Sequence, residues 1–232
     1  MQKRICGEFP KSCYRAFSSK VEARRFVSEG TFRMRCLLSF REGDKARRDP
    51  TEGCGHILTP GMVPTLWFSP NPDDKTIVTR EPGYVEHHPQ QGNAKLCLCT
   101  CLPEVDLGHM RKAFGKHIVR IDDPAKLAED IHDYYVSKGA RILIEGCRVI
   151  YNKGQKVDRL LTANERVDLA YKQKPESFSP DCEFRFVAIK FGEPCPEECK
   201  FIGGQGAKCK FEECQTVALD RPLKYLVFME PM

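Results

Sequence analysis

The sequence lacks long apolar runs, an even number of cysteines and a large net charge, and each absence argues against a class of protein. No stretch approaches the roughly 20 apolar residues that a membrane-spanning helix requires. The 13 cysteines are an odd number and residues 1–6 are too short and too polar for a signal segment, so we expect neither a disulfide framework nor a secretory signal peptide. We predict reduced thiols and a cytoplasmic protein. The net charge of +5 permits contact with phosphates but does not require it.

The composition is that of one folded domain. Hydrophobic residues make up 41% of the 232 residues and charged residues 30%, which is ordinary for a globular protein. No repeat or linker divides the chain, so we predict a single domain over residues 1–232. Predicted strands outnumber helices and do not alternate with them regularly. This pattern favours an α+β fold, with a mixed, mostly antiparallel sheet and flanking helices, over a doubly wound one.

The first third of the chain carries the clearest local signals. Residues 13–17 predict a short strand. A capping-box pattern at Ser19 begins a helix, and Gly30 is a suitable residue to end it. Residues 31–37 alternate between apolar and basic side chains, which indicates a half-buried strand. The polar residues 39–61 predict a long loop.

Similar patterns predict the remaining elements. Strands are expected at residues 65–68, 76–79, 96–101, 118–121, 141–151, 182–191 and 223–229, and helices at residues 103–114, 122–139 and 160–171. The helix signal at residues 122–139 is the strongest, because an aspartate caps its start and Pro124 fits its first turn.

Four late cysteines have a spacing that metal ligands use. Three residues separate Cys195 from Cys199, and four separate Cys209 from Cys214. Zinc sites accept two to four residues between paired ligands, so zinc is one interpretation of residues 195–214. A cysteine-rich surface loop with reduced thiols is the other. The run at residues 97–101 places its three cysteines on one face of a strand, which suits packing better than tetrahedral ligation.

Arginines mark a possible anion-binding surface. Arg33 and Arg35 lie on the polar side of a predicted strand, and Arg41 and Arg48 lie in the loop after it. The guanidinium group of arginine can donate two hydrogen bonds at once to a phosphate or a carboxylate. The surface would suit a dinucleotide or a nucleic-acid backbone, whereas an internally paired, solvated loop is the alternative.

Three further features are far apart in the sequence. Arg15 follows Tyr14 in the first predicted strand, Thr100 lies in a central apolar strand, and Glu183 begins a late strand. Taken in this order, they resemble the arginine, serine/threonine and glutamate scheme of the ADP-ribosyltransferase superfamily, in its toxin-like branch. The capped helix ending at Gly30, and the strands at residues 182–187 and 223–228, are similar to elements of that superfamily.

The resemblance covers about a third of the chain and implies an enzyme that cleaves NAD. In that scheme Glu183 would stabilise the oxocarbenium-like ribose, Arg15 would hold a phosphate of NAD and Thr100 would orient the ribose. Tyr14 or Phe40 would stack on nicotinamide. The loop at residues 48–53 also resembles poorly characterised bacterial proteins linked with phage defence, without supplying a mechanism.

The resemblance also implies partners. Arg33, Arg35, Arg41 and Arg48 would face a macromolecular acceptor, either nucleic acid or protein. An active toxin would need a neutralising antitoxin-type protein. The main alternative is a non-enzymatic module that binds nucleic acid or protein and is stabilised by zinc or by its core alone. A nuclease is a weaker alternative, since no acidic metal cluster is visible. An enzyme needs the Glu183 carboxylate in a cleft beside Arg15, whereas a binding module does not.

Overall fold

The structure is a computed structural model that describes residues 5–36, 56–67, 77–87, 95–157, 159–162, 169, 171–190 and 215–230. The strands are β1 Ile5–Gly7, β2 Cys13–Phe17, β3 Thr31–Cys36, β4 Ile57–Trp67, β5 Ile77–His87, β6 Lys95–Cys101, β7 His117–Ile121, β8 Ile142–Arg148, β9 Glu183–Lys190, β10 Gln215–Ala218 and β11 Leu226–Met229. The helices are α1 Lys20–Glu29, α2 Leu107–Phe114 and α3 Pro124–Ser137, and a 3₁₀ helix covers Glu176–Asp181.

The strands of the described residues form one large sheet and one ribbon. The sheet has the order β1-β8-β9-β6-β2-β7-β11, and β3 joins it through β6 and carries β10 on its other side. The β1–β8 pair is parallel and the other pairs are antiparallel. Strands β4 and β5 form a separate antiparallel ribbon. The predicted α+β fold with a mixed, mostly antiparallel sheet is confirmed.

Helix α1 begins and ends where the sequence predicts. The Ser19 side chain accepts a hydrogen bond from the Glu22 backbone N–H at 3.5 Å. Gly30 adopts a left-handed conformation with φ of 63°, and a Cβ atom there would lie 2.9 Å from the Cβ of Leu219. Glycine is therefore required both by the backbone conformation and by the close approach of the chain after β10.

Helices α1 and α3 cover one face of the sheet, which we call the helix face. The Asp123 side chain accepts a hydrogen bond from the Lys126 backbone N–H at 2.9 Å, and Pro124 occupies the first turn of α3. Phe26 of α1 and Leu127 of α3 are fully buried in the same apolar cluster. The sheet contributes to this cluster chiefly through Leu98, Ile144, Phe184 and Phe186.

The opposite face, which we call the site face, is covered in part by α2. Met110 of α2 packs with Cys101 and Ile118 of the sheet, and Tyr14 lies against this cluster. Strand pairing places Tyr14 opposite Cys101, and Cys101 opposite Glu183. Side chains of directly paired residues lie on the same face of a sheet, so Tyr14 and Glu183 are both on the site face.

Strand β6 loses its neighbour over a short stretch on one side. At its start, Leu96 and Cys97 pair with β3, and at its end Cys101 pairs with β2. The stretch between them, residues 98–100, has no strand partner on that side among the described residues, and we call this gap the split. The start of β2 and the end of β3 therefore flank the split, where they pair with opposite ends of β6.

Several predicted boundaries are wrong. The loop expected over residues 39–61 from their polar composition gives way to β4 at Ile57, and β4 includes Pro60 and Gly61. A two-stranded ribbon has open edges and accepts proline in its strands. Helix α2 begins at Leu107 and not at residue 103, because Asp106 supplies the N-cap and accepts from the His109 backbone N–H at 2.6 Å.

Other predictions fall on residues that the structure does not describe. They are the predicted target-facing Arg41 and Arg48, the stacking candidate Phe40, the zinc candidates Cys195, Cys199, Cys209 and Cys214, and most of the helix at residues 160–171. In the described ranges, no helix is long and apolar enough to cross a membrane.

Candidate functional site

A cavity of about 340 Å³ opens at the split. Its walls come from β2, β3, β6 and β9, from α1 and α2, and from Lys174 and Asp181 before β9. The predicted site residues that line it are Tyr14, Arg15, Arg33, Arg35, Thr100 and Glu183. The structure thus brings together residues that are as much as 169 positions apart in the sequence (Tyr14 and Glu183).

Glu183 is buried and ion-paired on both carboxylate oxygens. Its Oε1 accepts from Arg185 Nε at 2.6 Å, and its Oε2 lies 2.7 Å from Lys174 Nζ. The guanidinium of Arg185 also donates to the Tyr171 carbonyl at 2.7 Å. Burial alone would raise the pKa of Glu183, but the charges of Arg185 and Lys174 outweigh it and hold that pKa well below its usual range. The carboxylate is therefore ionised at neutral pH.

The backbone N–H and carbonyl of Glu183 are also hydrogen-bonded. Its N–H donates to the Tyr151 hydroxyl at 2.7 Å, and its carbonyl accepts from the Val149 N–H at 3.0 Å. Burial and the neighbouring Glu183 carboxylate raise the pKa of Tyr151, which keeps its hydroxyl protonated. Tyr151 and Lys174 were not predicted from the sequence. Arg185 had a local signal, because it stands two residues after Glu183 on a strand and therefore shares its face.

Arg15 reaches from β2 across the split. Its Nη1 donates to the Cys99 carbonyl at 2.9 Å, and its guanidinium lies 5.3 Å from the centre of the Phe17 ring. Its Nε is buried and has no hydrogen-bond partner among the residues that the structure describes. Burial is the largest effect on the pKa of Arg15, which falls to about 10, and the charge of Arg35 lowers it as well. Arg15 remains charged at neutral pH.

Thr100 lies in the cavity wall but faces away from Glu183. Strand pairing places it opposite Phe184 on the helix face, and it is 2% exposed. Its hydroxyl donates to the Phe184 carbonyl at 2.9 Å. The structure therefore does not bring this hydroxyl to the Glu183 carboxylate, and its contacts are those of a residue that holds β6 to β9.

A second carboxylate, Asp181, lines the cavity beside Glu183. Its Oδ1 lies 3.0 Å from Nε2 of His109 on α2, and Asp181 is buried. The sequence showed His109 only as an isolated histidine. Cys182 between the two acidic residues adopts a left-handed conformation with φ of 44°. This sharp bend turns the chain from the 3₁₀ helix into β9, so that Asp181 and Glu183 both reach the cavity.

Three cysteines line the cavity on the site face: Cys97, Cys99 and Cys101. Burial raises the pKa of Cys99 and of Cys101 well above the usual range, so both thiols are protonated and poorly nucleophilic. The described cysteines with placed side chains form no disulfide. No group of three or more His, Cys, Asp or Glu side chains in the described ranges is arranged to hold a metal ion.

The cavity carries an excess of positive charge. Six cationic side chains and three carboxylates line it: Arg15, Arg25, Arg33, Arg35, Lys174 and Arg185 against Glu22, Asp181 and Glu183. Lys174 and Arg185 are paired with Glu183, and Arg25 is paired with Glu29. The remaining cationic groups, Arg15, Arg33 and Arg35, favour an anionic ligand.

Acid should weaken the fold through Glu183. Because its folded-state pKa lies below the ordinary value of 4.5, its ion pairs stabilise the fold fully above about pH 5. That stabilisation is lost as the pH falls below the unfolded-state pKa and toward the folded-state pKa. We expect the urea midpoint to fall more between about pH 5 and about pH 3 in the wild type than in Glu183→Gln, which has no carboxylate there to protonate. Parallel midpoint curves for the two proteins would contradict this assignment.

No protein-family model, no curated protein and no solved structure matches the chain.

Proposed function

We propose that the chain is a toxin-like ADP-ribosyltransferase that cleaves NAD in this cavity and transfers ADP-ribose to a macromolecular acceptor. The observation that carries the proposal is the placement of Glu183 and Arg15 in one cavity. A catalytic scheme requires that a carboxylate and a phosphate-binding arginine share a cleft, and a plain binding module has no such requirement. Tyr14, on the same face as Glu183, supplies the aromatic ring expected beside them.

The chemistry needs a fixed negative charge beside the ribose. The bond between the anomeric carbon and the nicotinamide nitrogen breaks, its electron pair leaves with neutral nicotinamide, and positive charge develops on the ribose. An acceptor hydroxyl or amine then bonds to that carbon and releases its proton to solvent. Glu183 would stabilise the developing cation, since it stays ionised and its orientation is locked before the reaction.

The ion pairs of Glu183 are compatible with this role. Each carboxylate oxygen has two lone-pair directions, so a carboxylate bound to Arg185 and Lys174 can still accept from ribose hydroxyls. Arg15 would hold a phosphate, and Arg33 and Arg35 would approach the acceptor or the rest of the substrate. Thr100 would take no part in this mechanism, because its hydroxyl donates to the Phe184 carbonyl.

A second function is favoured by the excess of positive charge. Lys174 and Arg185 together more than neutralise Glu183, which weakens the attraction of the site for a cation. On this account the cavity would bind an anionic part of a nucleic acid or protein without chemistry. The carboxylate would then serve only to keep two buried cations paired. Zinc at Cys195, Cys199, Cys209 and Cys214 would belong to this alternative.

The two functions differ in the fate of labelled NAD. We expect the purified protein, incubated with NAD labelled in the adenylate phosphate and with cell lysate, to transfer label to macromolecules. Loss of the labelled product on nuclease digestion would identify a nucleic-acid acceptor, and loss on protease digestion a protein. Release of nicotinamide without transfer would identify an NAD hydrolase. Intact NAD, with the protein shown to be folded, would contradict the proposal and favour the binding module.

The proposal extends to the cell. An enzyme that consumes NAD or modifies essential molecules harms its host, so we propose a neutralising antitoxin-type partner that covers the cavity. A cytoplasmic location and a part in phage defence follow from the same proposal, since both NAD and nucleic-acid acceptors are present there. Expression of the chain alone should slow growth more than expression of Glu183→Gln.

A further inference from the structure

Two arginine side chains, those of Arg15 and Arg35, line the cavity at the split. Arg35 stands opposite Cys97 in the β3–β6 pairing, and Arg15 donates to the carbonyl of Cys99, two residues further along β6. Both line the cavity. In the part of the chain that the structure describes, neither forms an ion pair with a carboxylate. Glu22 also lines the cavity, and its charge acts on Arg15 only at a distance.

The hydrogen-bonding capacity of Arg15 is also unfilled. Its Nε–H is buried and has no acceptor among the described residues. A buried N–H without a partner is unfavourable, so a ligand oxygen that accepted from it would relieve that cost. The charge of Arg35 makes this environment less favourable still, since it acts unfavourably on charged Arg15. An anion between the two side chains would relieve both effects.

We propose that Arg15 and Arg35 form a two-arginine clamp for a pyrophosphate group, bridging the two strands that separate at the split. Each guanidinium presents its N–H groups as a planar fork that fits two phosphate oxygens. Pyrophosphate carries several negative charges on two linked phosphates, which suits two guanidinium groups that line one cavity. The assignment of that pyrophosphate to a dinucleotide rests on the proposed function. Arg35, which the sequence predicted to face the acceptor, would on this proposal bind the substrate instead.

Binding of inorganic pyrophosphate tests the clamp without any turnover. We expect calorimetric titration to show binding to the wild type and a loss of about tenfold or more in affinity in Arg35→Gln, because one charge-assisted pair of hydrogen bonds is removed. Arg35 is exposed, so its replacement should not prevent folding. Arg120→Gln is the matched control, since Arg120 is paired with Asp122 on the surface and does not line the cavity. It should bind as the wild type does.

The possible outcomes separate the clamp from the proposed function. No binding of pyrophosphate by the wild type, or equal affinity in Arg35→Gln and Arg120→Gln, would overturn the clamp even if NAD is cleaved. Pyrophosphate binding that is lost in Arg35→Gln, in a protein that leaves NAD intact, would support the clamp and reject the enzyme. Arg15→Gln should also lose binding, and a thermal-unfolding measurement would show whether that variant is still folded.

Discussion

Replacing Glu183 by glutamine should lower the rate of nicotinamide release from NAD by about a hundredfold to a thousandfold. The amide keeps the size of the side chain and removes the negative charge that the proposed mechanism places beside the ribose. The affinity for NAD should change little, because the phosphate contacts proposed for Arg15 and Arg35 do not involve this carboxylate. The measurement is the rate of nicotinamide release at saturating NAD, with folding checked by circular dichroism.

Glu145→Gln is the matched control for this variant. Glu145 is a partly buried carboxylate on the site face, where it accepts from the Tyr171 hydroxyl at 2.7 Å and pairs with Lys172. It does not line the cavity. Its replacement should leave the rate within about threefold of the wild type. A Glu183→Gln variant as active as Glu145→Gln would show that the Glu183 carboxylate takes no part in catalysis.

Replacing Arg185 by methionine should lower the free energy of unfolding by about 3–5 kcal/mol. Arg185 is 1% exposed and supplies one of the two ion pairs of Glu183. Methionine fills much of the space of the arginine side chain but leaves the Glu183 carboxylate with Lys174 as its only ion-pair partner. It also removes the hydrogen bond that the Tyr171 carbonyl accepts from Arg185. Urea unfolding at neutral pH, at which Glu183 is ionised, measures the difference.

Arg148→Ala provides the comparison for a surface ion pair. Arg148 on β8 pairs with Glu104 at 3.0 Å, and both side chains are more than half exposed. Its loss should cost less than about 1 kcal/mol. The double variant Glu183→Gln/Arg185→Met should be less destabilised than the sum of its single variants, because Arg185→Met removes one of the two cations that Glu183→Gln deprives of the carboxylate. Additive losses would contradict a coupled cluster.

Elements with local signals could be predicted from the sequence. The cap at Ser19, the left-handed glycine at Gly30 and the aspartate–proline start of α3 each depend on residues a few positions apart. The interactions that define these signals are local in sequence. The sequence pattern alone therefore predicts α1, α3 and the flanking strands β2 and β3. The start of α2 was predicted at residue 103 but lies at Leu107. Pro103 is also compatible with a helix start, whereas the N-cap in the structure is Asp106.

The site could be predicted only in part. Arg15 and Glu183 were paired by resemblance, and both line one cavity. The part of Lys174 in the site could not be predicted from the sequence, since it depends on how the chain before β9 returns to the sheet. The face on which Thr100 lies depends on the register of β6 against β9, and a shift of one residue would reverse it. The split exists because β2 and β3 pair with different ends of β6. No local sequence signal specifies which strands pair.

The structure of Glu183→Gln with NAD bound tests the central claim most directly. A variant that binds but does not cleave NAD should hold the intact dinucleotide in the cavity. The account predicts the nicotinamide ribose against residue 183, the nicotinamide ring beside Tyr14 and the pyrophosphate between Arg15 and Arg35. An empty cavity at millimolar NAD, or NAD bound at another surface, would contradict it.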